Sequence, residues 1–152
     1  MTQQALKSTR FGTIEFAKED VVEFVSGLVG FEKLRSFIFI EHADNSPFRW
    51  MQSLDDPNVA FLVVDPVHYV PQYAPEMPQA IAEQLDLEPE TARLVYTIVT
   101  IPPGKPEEMT INLAGPIVIN AERRTAQQIV VEDEAMSVKH RVFEKRPEEE
   151  VA

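Results

Sequence analysis

An all-β domain, mainly antiparallel and bent into a barrel-like sheet, with one or two short helices, is the fold this sequence predicts. Three observations predict it. Short runs rich in β-branched and aromatic residues recur along the chain, and Leu-Val-Tyr-Thr-Ile-Val-Thr-Ile over 94–101 is the densest of them. Turn chemistry separates the runs at short intervals. A single stretch, 79–87, carries a helical apolar spacing.

Taken in order, residues 1–9 are polar and read as a frayed end or an added strand. Residues 11–16 alternate apolar and other side chains, as a half-buried strand does. Residues 19–24 run into a turn region set by Gly27 and Gly30. Phe37-Ile38-Phe39-Ile40 is a short apolar strand. Residues 50–54 and 59–64 read as two strands joined by Asp55-Asp56-Pro57-Asn58, a strong turn signal. Four prolines at 66, 71, 75 and 78 exclude a central strand from 65–78, because proline supplies no ladder donor. In 79–87, Ile81 and Leu85 stand at i and i+4 with Pro78 at the start, and a second short turn follows Pro89. Met109, Ile111 and Leu113 fall on one face of a period-two strand. Residues 117–119 and 129–131 read as a hairpin around the polar segment 120–125. The expectation is one domain over 1–143 and a charged, disordered tail over 144–152.

Composition narrows the function. The 152 residues suit one domain, and folding at that size buries about 68–70% of the unfolded chain's surface. The absence of cysteine removes disulfide and thiolate chemistry. No secretory signal or membrane-length apolar run is evident, so a cytoplasmic protein is expected. The net charge of −11, from 25 acidic and 14 basic residues, opposes direct nucleic-acid binding. The same charge steers a basic protein partner, or simply keeps the chain soluble.

Enzyme chemistry finds no pattern to stand on. The nucleophile elbow, the phosphate loop and the glycine fingerprint are all missing. His42, His68 and His140 are dispersed and show no helical zinc spacing. The acidic run Glu132-Asp133-Glu134 lacks the spacing of a calcium loop and reads as a solvated loop after a strand rather than a cation site. Asp55-Asp56 reads as turn chemistry rather than a catalytic pair. No catalytic residue, cofactor or metal is expected. Interaction surfaces are better supported. Phe48, Trp50 and Tyr73 lie near prolines and loop ends, and Trp and Tyr are common binding hot spots. The alternative for Trp50 is a place in the core. Asn112 and Asn120 interrupt apolar β-runs, either to satisfy a backbone kink or to offer an amide to an extended partner. His140 is read chiefly as a structural hydrogen-bonding group.

With those residues laid out, the chain resembles the flagellar assembly factor family FliW from about Phe11 to Phe143. The resemblance rests on Phe11-Gly12-x-Ile14, Gly27-Leu28-x-Gly30-Phe31-Glu32, and Pro47-Phe48-x-Trp50-x-Gln52-Ser53 with Asp56-Pro57. Ala60-Phe61, Asp65-Pro66, Tyr73, Val99-Thr100-Ile101-Pro102 and Met109-Thr110-x-Asn112-Leu113 continue it. Pro116-Ile117-Val118-Ile119-Asn120, Gln128 and Ser137-x-x-His140 complete it. Departures stand at Val25 and Val29, where the family often has proline, and at Gln72, Gly115, Ala126, Met136 and Lys139. The resemblance implies a non-enzymatic regulatory protein, a monomer, that binds flagellin in the cytoplasm. It also implies antagonism of the translational regulator CsrA, so that flagellin translation follows flagellin secretion. A flagellin export chaperone that uses an open strand edge is the other reading. The partner-binding set is taken as Phe48, Trp50, Tyr73, Asn112, Asn120, Glu132, Asp133 and His140, with no membrane or direct nucleic-acid contact.

Overall fold

The computed structural model describes residues 4–131 and 137–143. Glu132, Asp133 and Met136, and the tail from Glu144, lie outside the described residues.

Strand β1 (Gln4–Ser8) and strand β2 (Gly12–Phe16) form an antiparallel hairpin separate from the main sheet. The N-terminal segment is therefore the added strand of the two readings offered for it. Next come β3 (Val22–Phe24), β4 (Ser36–Glu41), β5 (Phe48–Ser53) and β6 (Ala60–Val64). The one α-helix among the described residues, α1 (Gln79–Gln84), precedes β7 (Arg93–Thr100). Strands β8 (Thr110–Ile111), β9 (Ile117–Asn120), β10 (Thr125–Gln128) and β11 (His140–Arg141) finish the order.

Strand β7 is the hub. Its first half pairs with β9, from Arg93↔Asn120 to Tyr96↔Ile117, and its second half pairs with β6 and β8. The order β7-β6-β5-β4-β3-β10-β9 thus returns to β7 and closes a seven-stranded barrel. Closure removes most open sheet edges, which is how small β domains avoid pairing with one another. Every pairing is antiparallel except β3 with β10, where Thr125 stands by Glu23 and Ala126 by Phe24.

Period-two alternation decides what fills the barrel. Inward go Val22, Phe24, Phe37, Met51, Val63, Tyr96, Ile117, Ile119 and Ala126. Phe39 stacks on Tyr96 at 5.2 Å, and Phe24 meets Phe37 edge-on at the same separation. The outer wall is covered twice. On β9 and β7, Leu85, which ends α1, packs against Val118 and Ile129. On β5 to β8, the 65–78 segment and β11 cover Leu62, Val64, Val99 and Ile111.

A polar clamp ties the β1–β2 hairpin to the barrel. The Ser8 hydroxyl donates to Gln52 Oε1 at 2.8 Å, and Gln52 Nε2 donates to the carbonyls of Ser53 and Val59. Gln52 and Ser53 are fully buried, so these bonds satisfy groups that water cannot reach. One glycine is dictated by a close approach. Gly27 has φ +76°, and a Cβ there would sit 2.7 Å from the Glu32 carbonyl oxygen.

Two expectations need correction. The strand that pairs with β9 is Thr125–Gln128, not 129–131. Ile129 and Val131 extend the pairing irregularly, donating to the carbonyls of Pro116 and Ala114. The polar sequence Thr-Ala-Gln-Gln hid β10: only Ala126 faces the core, while the Gln127 and Gln128 side chains accept from the amides of Ser26 and Val29. Strands β3 and β11 were also absent from the expectation, being held by long-range pairing rather than by a local pattern.

Candidate functional site

The barrel wall displays one aromatic face. The ladder pairs Trp50 with Leu62 and Phe48 with Val64, so these residues share the outer side of β5 and β6. Burial of Trp50 is only partial. The Arg10 guanidinium lies 4.4 Å above its ring, and Phe11 meets it edge-on at 5.7 Å. Such a cation over indole is an attractive contact that also preorganises the ring. Trp50, Ala60, Phe61, Leu62, Val99 and Ile101 line a shallow cavity of about 200 Å³. This cavity opens because β6 and β7 pair only at Val63↔Ile98 and Val64↔Thr97 and then part.

Phe48 continues the face. Its ring lies 6.2 Å from Tyr69 and 6.1 Å from His42, and Tyr69 in turn meets Phe143 at 6.5 Å. Tyr69 is placed by a 3-10 turn over Pro66–His68, where Asp65 Oδ1 accepts from the Val67 amide. Around these rings Val67, Ile101 and Phe143 remain exposed. Tyr69, Arg10 and Phe143 escaped sequence reasoning, because nothing local signals that they converge on β5. The 65–78 segment has the proline punctuation of a covering loop, which was the available hint.

The other expected partner residues divide. Tyr73 is buried, and its hydroxyl donates to the Leu113 carbonyl at 2.5 Å. Burial pushes its phenol up to about 12. Asn120 is also buried. Its Nδ2 donates to the Leu85 carbonyl at 2.6 Å, and its Oδ1 accepts from the amides of Glu122 and Arg123. Both side chains are thus committed inside the fold: Tyr73 pins the covering loop and Asn120 joins α1 to the β9–β10 turn. Their placement at a surface is corrected here. Asn112 is half-buried and supports a kink, with Oδ1 accepting from the Ala114 amide. Half-buried His140 pairs with Ile111 in the β11–β8 ladder.

The groups weighed for catalysis serve the backbone or stand apart. Asp55 Oδ2 accepts from the amides of Arg35 and Ser36, and Asp56 Oδ1 accepts from Asn58. His42 contacts Ser46, and His68 packs on Tyr69. Among the described residues no group of His, Cys, Asp and Glu could hold a metal ion. No helix among them is long and apolar enough to cross a membrane.

The chain is thus a small closed β-barrel that presents partly exposed aromatic rings on one wall. The FliW protein family model matches residues 5–142, and the chain belongs to that family. It is 39% identical over 136 residues to the flagellar assembly factor FliW of Moorella thermoacetica, covering 90% of this chain and 86% of that one. It is likewise 39% identical over 140 residues to the FliW of Caldanaerobacter subterraneus subsp. tengcongensis, covering 91% and 93%. A crystal structure of the flagellar assembly factor FliW superimposes with a TM-score of 0.84, at 29% identity, over 93% of this chain and 98% of that one.

Proposed function

We propose that this chain binds flagellin in the cytoplasm and, as a monomer, captures the translational regulator CsrA by direct protein–protein contact. Flagellin and CsrA then compete for it, and flagellin translation follows flagellin secretion. The observation that carries the reading is the family match over nearly the whole chain, with relatives that are named flagellar assembly factors. Charge adds support. A regulator that grips RNA phosphates needs a basic face, and a domain of net charge −11 attracts that face while repelling RNA.

The aromatic wall is the proposed contact surface, with Phe48 and Trp50 as anchors and Asn112 and His140 at its border. Partly exposed aromatic rings on a rigid strand lose little freedom on binding, which favours them as hot spots. Titration of the purified protein with CsrA, alone and with flagellin already bound, tests the proposal. Tight CsrA binding that flagellin abolishes, and that weakens as salt rises, is the expected result. Flagellin binding without CsrA binding would overturn the regulatory reading and leave an export chaperone. Affinity that is flat with salt would remove the electrostatic part.

A further inference from the structure

We propose that a slot between β2 and β4 binds an extended peptide segment carrying an acidic side chain. The slot is a cavity of about 390 Å³. Ile14, Glu15 and Phe16 of β2 form one wall, and Ile38, Phe39 and Ile40 of β4 form the other. Both walls are strand edges with no ladder partner on the slot side among the described residues, β4 being paired there only with β5 on its other side. Among the described residues, strand β2 pairs only with β1, and β4 pairs with β3 only at Ser36 and Phe37. No ladder or other backbone hydrogen bond joins the two edges. The 3-10 turn at Lys18–Asp20 causes this, because it carries the chain out of the sheet just where β3 would have continued along β4. Unpaired strand edges accept an added strand through main-chain hydrogen bonds, with side-chain pockets supplying specificity.

Charge decides which side chain fits. Arg49 and Arg124 both line the slot. In a chain of net charge −11, neither guanidinium is within ion-pair distance of a carboxylate among the described residues. Arg124 Nη2 donates to the Asp20 carbonyl, but its Nε is buried and meets no acceptor. The Arg49 side chain makes no hydrogen bond among the described residues, although Glu41 stands opposite it in the ladder. The carboxylates of Glu15 and Asp20 also line the slot, neither within ion-pair distance of the two arginines, and Asp20 Oδ2 already accepts from the Ala17 amide. A carboxylate entering the slot would give the two arginines the charged, bidentate partner that they otherwise lack. The apolar walls suit β-branched neighbours on either side of that carboxylate. This slot is separate from the aromatic wall and stands whether or not that wall binds CsrA.

The test uses two fluorescein-labelled, end-blocked pentapeptides, Thr-Val-Glu-Val-Thr and Thr-Val-Gln-Val-Thr, read by polarisation against the full chain. The Glu peptide should bind about tenfold tighter than the Gln peptide, one charge-assisted contact being worth at least that factor. Arg49→Gln should lower Glu-peptide affinity about tenfold and leave the Gln peptide unchanged. Arg124→Gln should do the same, and circular dichroism would show whether the loss of its bond to Asp20 unfolds the hairpin; if it does, Arg49→Gln alone decides. Hydrogen exchange should slow at amides within 38–40 when the Glu peptide is bound. Equal affinity for the two peptides, protection confined to other strands, or no binding by about 1 mM would overturn the proposal. So would displacement of the peptide by inorganic phosphate at concentrations that leave exchange at 38–40 unaltered, since that describes a simple oxyanion site.

Discussion

On its β9 side the barrel wall is covered by a short helix and the residue that ends it; on its β5–β6 side it is covered by a proline-rich loop and a two-residue strand. The helical cover buries Leu85 completely and fixes itself through the buried Asn120. The loop cover buries Tyr73 but leaves Phe48, Trp50 and Tyr69 partly exposed. Both covers use the same means, an apolar anchor plus one side chain bonded to a distant carbonyl. What differs is the kind of side chain left partly exposed. The helical cover leaves the aliphatic Met77, Ile81, Leu87 and Val95, whereas the loop cover leaves the aromatic rings of Phe48, Trp50 and Tyr69 at the rim.

Substitutions can break this contrast. Leu85→Ala should have the largest effect, about 3 kcal/mol of stability lost in urea unfolding, because it opens a cavity under α1. Partner affinity of the folded fraction should not change. Trp50→Ala should reverse the pattern. It should cost about 2 kcal/mol of CsrA or flagellin affinity, near thirty-fold by calorimetry, and less stability than Leu85→Ala. Equal loss of stability from the two would mean that the faces do not differ in kind.

Tyr73→Phe should cost about 1 kcal/mol at neutral pH, since the buried Leu113 carbonyl loses its donor. The pH dependence sharpens this. A folded phenol raised to about 12 from 10.0 holds its proton while the unfolded one releases it. Stability from this group is therefore complete below pH 10 and drains away as pH rises toward 12. Tyr69 and Tyr96 are shifted in the same direction by burial. Urea midpoints measured across alkaline pH should fall less steeply in Tyr73→Phe than in the parent chain. The smallest effect is expected at the exposed Arg123–Asp86 pair, 3.5 Å apart beside α1. Arg123→Ala should change the melting free energy by no more than about 0.5 kcal/mol, as exposed pairs generally do.

Sequence pattern carried the central strands well and the closing ones poorly. Met109, Ile111 and Leu113 alternate in the sequence and are all buried in the structure, and the Asp55–Asn58 turn falls between β5 and β6 as its residues dictate. Strand β10 was illegible because it contributes a single core side chain and owes its place to neighbours at both ends of the chain. The candidate site was half legible. A tryptophan on an alternating strand and a tyrosine in a proline-rich loop look alike in a sequence, yet Trp50 reaches the surface and Tyr73 turns inward to a carbonyl 40 residues away. Asparagine is equally ambiguous, since only the fold reveals that Asn120 serves the backbone of four other residues.

The single parallel pairing, β3 against β10, has a kinetic consequence. It joins segments so far apart that Gln127 accepts from an amide 101 residues earlier. Loop closure over that span costs entropy before any contact rewards it, and non-local pairing of this kind slows folding. During synthesis β3 must wait on the ribosome, unpaired on that side, until nearly the last strand has emerged. The barrel can close only then, so a nascent chain carries an open seam beside β3 until β10 has been made.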